Sequence, residues 1–176
     1  CALNSKFNGL IKERTPFKNV FIQPNAGDAG GAMGSALHFL RKNEINKVST
    51  HQRDNNKCYL GNSYTNEFIE DKLIKKNALV KNFSFKKLND ADLYNEVANR
   101  ISKNQVIGWF KGRCEWGPRA LGNRSILADA RNPEIKDILN KKIKLRESFR
   151  PFAPAVLEEF ANIYFDINYP SPFMLN

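Results

Sequence analysis

Cysteine and histidine are scarce in this chain of 176 residues. The three cysteines, Cys1, Cys58 and Cys114, are odd in number and far apart, so neither a disulfide framework nor a CxxC metal clip is indicated. The two histidines, His38 and His51, lie in no recognisable motif. A Ser-His-Asp catalytic set or a histidine-based zinc site built from this chain alone is therefore not expected.

Long apolar runs are also missing. No run approaches the roughly 20 residues that a membrane-spanning helix needs, and the N-terminal residues lack the order of a signal peptide. With 41% hydrophobic and 26% charged residues, the composition is typical of a globular protein and not of a disordered one. We therefore expect a soluble, cytoplasmic protein without a membrane partner, holding one domain or one domain plus a piece of another.

Positive charge is abundant and unevenly placed. The net charge is +10, and the segment from Lys111 to Arg150 holds eleven basic and five acidic residues, a net +6. Its arginines stand beside glycines and apolar residues, unlike those of a solvated charge run. A guanidinium held against apolar walls needs a partner, and its planar fork suits a phosphate or a carboxylate. This segment is predicted to be an anion site.

The residue pattern predicts alternating helices and strands. In the first part of the chain we expect a helix near Phe7–Ile11, a short buried strand at Val20–Pro24, and a helix capped by Asp28. The glycine-rich loop that leads into this last helix suits either a phosphate or tight helix packing, with packing favoured. Residues 44–58 are polar and aperiodic, which indicates a linker and a domain boundary.

Further along, the pattern predicts four more elements: a helix at Thr65–Lys76, an extended piece at Leu79–Phe85, a helix at Asp90–Asn104 capped by Asp90, and a buried strand at Val106–Phe110. Asn132 and Pro133 indicate a helix start. Lys144 and Arg146 would share a face on an extended segment, which the downstream prolines favour. Alternation of helices and strands predicts an α/β or α+β fold.

Several motifs resemble one family. The segments GRCEWGPRALGNRSILADAR (Gly112–Arg131) and KIKLRESFRPFAP (Lys142–Pro154) are similar to the signature of the nodulation and antibiotic-biosynthesis O-carbamoyltransferases. ALN (Ala2–Asn4) and QPNAGDAGGAMGSAL (Gln23–Leu37) match the same family in the expected order. The resemblance covers essentially the whole chain, and its central motif is long and specific.

The resemblance implies two domains, each represented in part. Residues 1–43 would be the last strand and helix of an actin/Hsp70-like transferase domain, residues 44–58 a linker, and residues 59–176 a YrdC-like α/β domain. The NTSFN motif expected near the end of the second domain does not occur. We therefore expect an internal fragment of a larger protein that lacks independent catalysis.

The resemblance also implies the chemistry. The YrdC-like domain would combine carbamoyl phosphate with ATP, in the presence of Mg²⁺, to form carbamoyl adenylate. The transferase domain, missing here for the most part, would pass the carbamoyl group to a hydroxyl of a sugar or natural product. The complete transferase domain would hold an iron or other divalent metal ion.

Site residues follow from matching the motifs. Lys144 and Arg146 match a phosphate-gripping KxR motif and are assigned as catalytic together with Arg119. Asp28 matches an aspartate that ligates the metal, whose histidine ligands are not in this chain. The residues expected to bind the nucleotide are Arg113, Glu115, Arg124, Ser125 and Arg150.

Other interpretations stay open. The basic module could bind RNA, as YrdC-like proteins take part in tRNA modification, although the arginines among glycines favour a pocket over an open basic face. It could also be a non-catalytic fragment. Some arginines would be ion-paired to Glu115, Asp129 or Glu147, and Arg131 is the foremost of these structural arginines. Glu115 would orient an arginine or bind magnesium.

Overall fold

A computed structural model describes residues 2–43, 58–79, 84–167 and 169–175. The chain forms two compact units. Unit 1 comprises residues 1–61, 114–121 and 156–176, and unit 2 comprises residues 62–113 and 122–155. The architecture is a mixed α+β one with a small antiparallel sheet. Most of the predicted linker and of the extended piece at 79–85 lies outside the described residues.

Two helices begin unit 1. Helix α1 spans Ser5–Arg14, as the sequence predicts, and Asn4 caps it by accepting the Phe7 amide at 3.0 Å. Helix α2 spans Gly30–Lys42. The prediction that Asp28 caps α2 is wrong, because Ala29 is the N-cap and makes no side-chain bond.

The strand predicted at Val20–Pro24 is also wrong. These residues adopt neither helix nor strand, and Phe21 is 87% exposed. A run of β-branched and aromatic residues forms a strand only where a neighbouring strand takes up its hydrogen bonds. Unit 1 ends with a 3-10 turn at Glu158–Phe160 and the short helix α3 at Ala161–Tyr164.

Unit 2 begins with two helices at Asn66–Leu79 (α4) and Asp90–Ser102 (α5). The helices predicted at Thr65–Lys76 and Asp90–Asn104 are thus confirmed. The cap of α5 is Asn89, one residue before the predicted Asp90, and its side chain accepts the Asp92 amide at 2.9 Å. The predicted cap was wrong because Asn and Asp are nearly equal N-cap formers and the sequence places them side by side.

A two-stranded antiparallel sheet follows the helices. Strand β1 (Ile107–Phe110) pairs with β2 (Arg124–Leu127), and Phe110 stands opposite Arg124. The position predicted for β1 is confirmed, but the prediction that this strand is buried is wrong. Alternate residues of β1 are exposed, Phe110 by 57%, because a two-stranded sheet covers only one of its faces.

The last helical segment of unit 2 changes pitch. It begins as α6 (Ile135–Ile138) and continues as a π-helical turn at Leu139–Lys144. The predicted cap at Asn132 is wrong, because Glu134 is the N-cap and makes no side-chain capping bond. Asn132 lies in the turn before the helix, where its side-chain oxygen accepts the Glu134 amide at 2.9 Å. The predicted extended conformation across 144–146 is wrong, since Leu145 is left-handed with φ 47° and ψ 52°.

Candidate functional site

Residues 112–123, the first part of the motif at 112–131, form the loop between β1 and β2. At its base the Lys111 amide donates to the Asn123 carbonyl at 3.0 Å, and the Asn123 side chain donates to the Arg113 carbonyl at 2.7 Å. Gly112 and Gly122 have φ of 57° and 102°, which glycine adopts without strain. These residues together with Arg124 are named the neck of the motif loop. All of them belong to unit 2.

Arg124 closes the neck. Its Nη1 donates to the Lys111 and Asn123 carbonyls at 2.9 Å each, and its Nη2 donates to the Gly112 carbonyl at 3.1 Å and the Asn62 carbonyl at 3.3 Å. The guanidinium carbon lies 3.5 Å from the centroid of the Phe110 ring. Backbone carbonyls on both sides of the loop therefore hold the side chain that was predicted to bind the nucleotide.

Ser125, another predicted nucleotide contact, lies next to the neck. Its hydroxyl oxygen accepts the Gly122 amide at 2.9 Å. A serine hydroxyl can accept and donate at the same time, so this bond leaves its proton to a ligand. Arg113 follows Gly112 on the β1 side of the neck and is exposed.

The middle of the motif belongs to unit 1. Glu115 accepts the Leu121 amide at 2.7 Å, and the Tyr59 hydroxyl donates to the Leu121 carbonyl at 2.8 Å. Burial raises the pKa of Tyr59, which keeps its hydroxyl protonated as a donor. Gly117, at φ 126°, is packed so that a Cβ there would lie 2.7 Å from the Pro24 carbonyl oxygen. Glu115 therefore shapes the loop by holding a backbone amide.

Arg119 stands at the end of this segment. Its Nη2 donates to the Leu3 carbonyl at 3.2 Å, which brings it to the ALN residues within unit 1. Its Nε is buried and has no hydrogen-bond partner among the described residues, and no carboxylate of that part of the chain forms an ion pair with it. A buried guanidinium nitrogen without an acceptor is destabilising unless an acceptor is supplied.

Asp28 is an exposed residue of unit 1. Its backbone carbonyl accepts the Gly31 amide at 3.0 Å. Within the described ranges, no group of three or more His, Cys, Asp or Glu side chains is arranged to hold a metal ion. Asp28 is thus a single oxygen donor in this structure.

The KxR residues lie at the end of the π-helical turn in unit 2. Lys144 is exposed and ends that turn. Arg146 donates from Nε to the Asn140 side-chain oxygen at 2.7 Å and from Nη2 to the Pro151 carbonyl at 3.4 Å, with its guanidinium carbon 4.7 Å from the Phe152 ring centroid. Asn140 is a residue that the sequence did not single out. Its only signal is an asparagine inside an apolar helical stripe, where asparagine is disfavoured.

Two arginines of the segment are paired with carboxylates. Arg131 donates to Asp129 through Nε and Nη2, with the shortest bond at 2.6 Å, and lowers the pKa of Asp129 to about 2. This confirms the expectation that Arg131 is structural. Arg150, predicted to bind the nucleotide, donates to Glu147 at 2.8 Å. A hydrogen bond from the backbone amide of Glu147 and this arginine both lower the pKa of Glu147.

These features define a mixed α+β protein whose glycine-rich motif loop carries guanidinium groups. Two family matches identify it further: the family described as carbamoyltransferase N-terminus matches residues 1–37, and carbamoyltransferase C-terminus matches residues 98–176. The chain belongs to the carbamoyltransferase family, which confirms the resemblance noted in the sequence.

Curated relatives support the same assignment. An uncharacterized protein of Synechocystis is 46% identical over 175 residues, which cover 99% of this chain and 28% of the relative. Nodulation protein NolO of Bradyrhizobium diazoefficiens is 40% identical over 95% of this chain and 28% of its own length. Nodulation protein U of Rhizobium fredii is 35% identical over 99% of this chain and 27% of its own length. The chain thus spans about a quarter of the length of these relatives.

None of the helices in the described residues is long and apolar enough to cross a bilayer.

Proposed function

We propose that this chain is part of an ATP-dependent O-carbamoyltransferase. Carbamoyl phosphate would lose its phosphate to water, the carbamate would displace pyrophosphate from ATP to give carbamoyl adenylate, and a hydroxyl of a sugar or natural product would then take the carbamoyl group with release of AMP. Membership of the carbamoyltransferase family supports the transfer of a carbamoyl group. The finer fold, a YrdC-like domain preceded by the end of an actin/Hsp70-like domain, belongs to the same proposal.

The observation that carries the nucleotide part is Arg119. Its buried Nε has no partner in the described residues, although its Nη2 is anchored on the Leu3 carbonyl. A phosphate oxygen would satisfy this donor and compensate the charge, and charge-assisted bonds of this kind are about twice as strong as neutral ones. Arg119 would thus bind a phosphate group of one of the two substrates.

Within unit 2, Lys144 and Arg146 would supply phosphate contacts of their own. Arg146 uses Nε and Nη2 for protein acceptors, and its Nη1 makes no hydrogen bond to the described residues. Lys144 would add a point charge, which stabilises the negative charge that two phosphorylated substrates bring together. Mg²⁺ would enter with ATP and offset part of the charge of its phosphates.

Four other residues that were predicted to bind a ligand differ in how well their surroundings suit one. The Ser125 hydroxyl, which still has a proton to donate, and the exposed Arg113 are suited to binding a ligand near the neck. Arg150 would have to exchange Glu147 for a phosphate. Asp28 offers an exposed carboxylate, the kind of oxygen donor that divalent ions accept, for a metal whose other ligands would lie elsewhere in the whole protein.

Calorimetric titration of this chain with ATP and Mg²⁺ tests the proposal. We expect saturable binding at about 0.15 M salt, strengthened by carbamoyl phosphate. Arg119→Ala should weaken it by about tenfold or more, since a hydrogen bond to a charged group contributes about 1.5–3 kcal/mol. Arg100→Ala is the matched control, because Arg100 is an exposed arginine of α5 paired with Glu96.

Three results would contradict the proposal. The first is no ATP binding by a chain whose circular dichroism shows it to be folded. The second is an equal loss of affinity in Arg119→Ala and Arg100→Ala. The third is tight binding of a single-stranded RNA oligonucleotide that falls steeply with salt while ATP binds no better than inorganic phosphate, which would favour the RNA-binding alternative.

A further inference from the structure

Asn140 is the most deeply buried polar residue described in unit 2, with 0% of its surface exposed. Its side-chain nitrogen donates to the Ser148 carbonyl at 3.3 Å and to the Arg150 carbonyl at 2.9 Å. Its side-chain oxygen accepts from Nε of Arg146 at 2.7 Å. One amide group thus joins three positions of the loop that follows the π-helical turn.

The backbone of Asn140 acts on the same loop. Its carbonyl oxygen accepts the amide of Leu145 and, at 3.0 Å, the amide of Arg146. These two bonds close the helix end and hold Leu145 in its left-handed conformation. Main chain and side chain of a single residue therefore determine both where Arg146 leaves the helix and where its Nε points.

This bonding pattern requires an asparagine. It needs two donors and one acceptor on a short planar group, which aspartate, leucine and alanine do not offer. With Nε on Asn140, Nη2 on Pro151 and the plane against the Phe152 ring, the Arg146 guanidinium is confined to one direction. A guanidinium already held in place loses less conformational freedom when it binds an anion.

We propose that Asn140 is a positioning residue that orients Arg146 for a phosphate group. The inference rests on the proposed function insofar as it takes Arg146 to bind a phosphate of ATP or carbamoyl phosphate. Asn140 itself, being fully buried, acts through Arg146 and does not touch the ligand.

A spectroscopic experiment tests the orientation without any ligand. In the ¹⁵N-labelled chain, the Nε–Hε signal of Arg146, assigned by its loss in Arg146→Lys, should exchange slowly with solvent. In Asn140→Ala this signal should exchange as fast as that of the exposed Arg41, whose side chain makes no hydrogen bond to the described residues, and in Asn132→Asp it should stay slow. An unchanged Arg146 signal in a folded Asn140→Ala variant would overturn the inference whatever the chain binds.

A double-mutant cycle tests whether Asn140 acts through Arg146. Asn140→Leu keeps the approximate shape and removes the acceptor that holds Nε of Arg146, so it serves where Asn140→Ala does not fold. ATP affinity should fall by about tenfold in Asn140→Leu and remain unchanged in the control Asn99→Leu, at an exposed position of α5. In an Arg146→Ala background, Asn140→Leu should cause no further loss.

The outcomes separate the inference from the proposed function. Additive losses would mean that Asn140 affects binding independently of Arg146 and would overturn the inference while ATP binding stands. A parent chain that binds no ATP would overturn the proposed function. In that case two measurements would decide whether Asn140 positions Arg146. They are the solvent exchange of the Arg146 Nε–Hε signal and the same double-mutant cycle with the affinity for inorganic pyrophosphate as its readout.

Discussion

The arginines of the motif segment differ in what satisfies them. Arg131 and Arg150 pair with nearby carboxylates, and Arg124 is held by four backbone carbonyls. Arg119 keeps a buried Nε without a partner in the described residues. Carbonyl oxygens can thus take the place of the anion that an arginine among glycines and apolar residues was predicted to need. Among these arginines, Arg119 has the surroundings that most favour binding of an anionic ligand.

Leu145 allows a test at the scale of a single residue. Its φ of 47° is unfavourable for a residue with a Cβ, and its side chain is 81% exposed. A left-handed conformation costs such a residue about 1–2 kcal/mol, of which the greater unfolded-state freedom of glycine offsets about 0.4–1 kcal/mol. Leu145→Gly should therefore be more stable than Leu145→Ala by about 1 kcal/mol in urea denaturation. Equal stability of the two variants would argue against the left-handed turn.

At the scale of elements, the neck of the motif loop depends on Arg124. Arg124→Lys keeps the charge but cannot span the carbonyls on both sides of the loop, because a lysine presents a compact ammonium instead of a planar fork. We expect a loss of about 1–3 kcal/mol in stability and faster hydrogen exchange of the Lys111 amide, which donates across the neck. Native-state hydrogen exchange measures the second effect.

Arg100→Lys is the control for this substitution. Arg100 lies on α5 and is paired with Glu96 at the surface, so replacing it with lysine should leave the free energy of unfolding nearly unchanged. Unchanged protection of Lys111 in Arg124→Lys would show that the neck holds without the guanidinium.

The elements show what local sequence can and cannot specify. The helices around Phe7–Ile11, Thr65–Lys76 and Asp90–Asn104 were predicted because apolar spacing is a local property of the sequence. The predicted strand at Val20–Pro24 failed because a strand needs a partner that the local sequence does not name. The turn at Leu145 was missed because it depends on the carbonyl of Asn140, and the two prolines downstream favoured an extended chain.

At the scale of the whole molecule, unit 1 is assembled from three stretches of distant sequence. Asn8, which is 3% exposed, connects two of them by donating to the Ala2 carbonyl at 2.8 Å and to the Leu175 carbonyl at 2.6 Å. Asn8→Ala would leave both carbonyls without this donor. It should lower the free energy of unfolding by about 1–3 kcal/mol and reduce the exchange protection of α1.

The exposed Asn99 on α5 provides the matched variant for this measurement. Asn99→Ala should leave the stability within about 0.5 kcal/mol of the parent chain. Protection of α1 that survives Asn8→Ala would contradict the role of Asn8 in holding unit 1 together.

The candidate site is predictable to the extent that it is contiguous. The motif at 112–131 and the KxR pair at 144 and 146 are short stretches, so their residues can be named directly from the amino-acid sequence. The grouping of residues 114–121 with the first 61 residues depends on contacts between distant segments, which a single sequence does not encode in a readable way. Asn140 escapes notice for the same reason, since its partners lie on a loop that the sequence predicts to be extended.

The left-handed turn at Leu145 has a consequence for sequence variation. A library randomised at position 145 and selected for folded protein should retain glycine and asparagine and lose valine, isoleucine and proline. β-branched side chains are the least tolerant of a positive φ, and the proline ring restricts φ to about −65°. The residue between Lys144 and Arg146 would then be chosen by the backbone, although its own side chain is almost entirely in solvent.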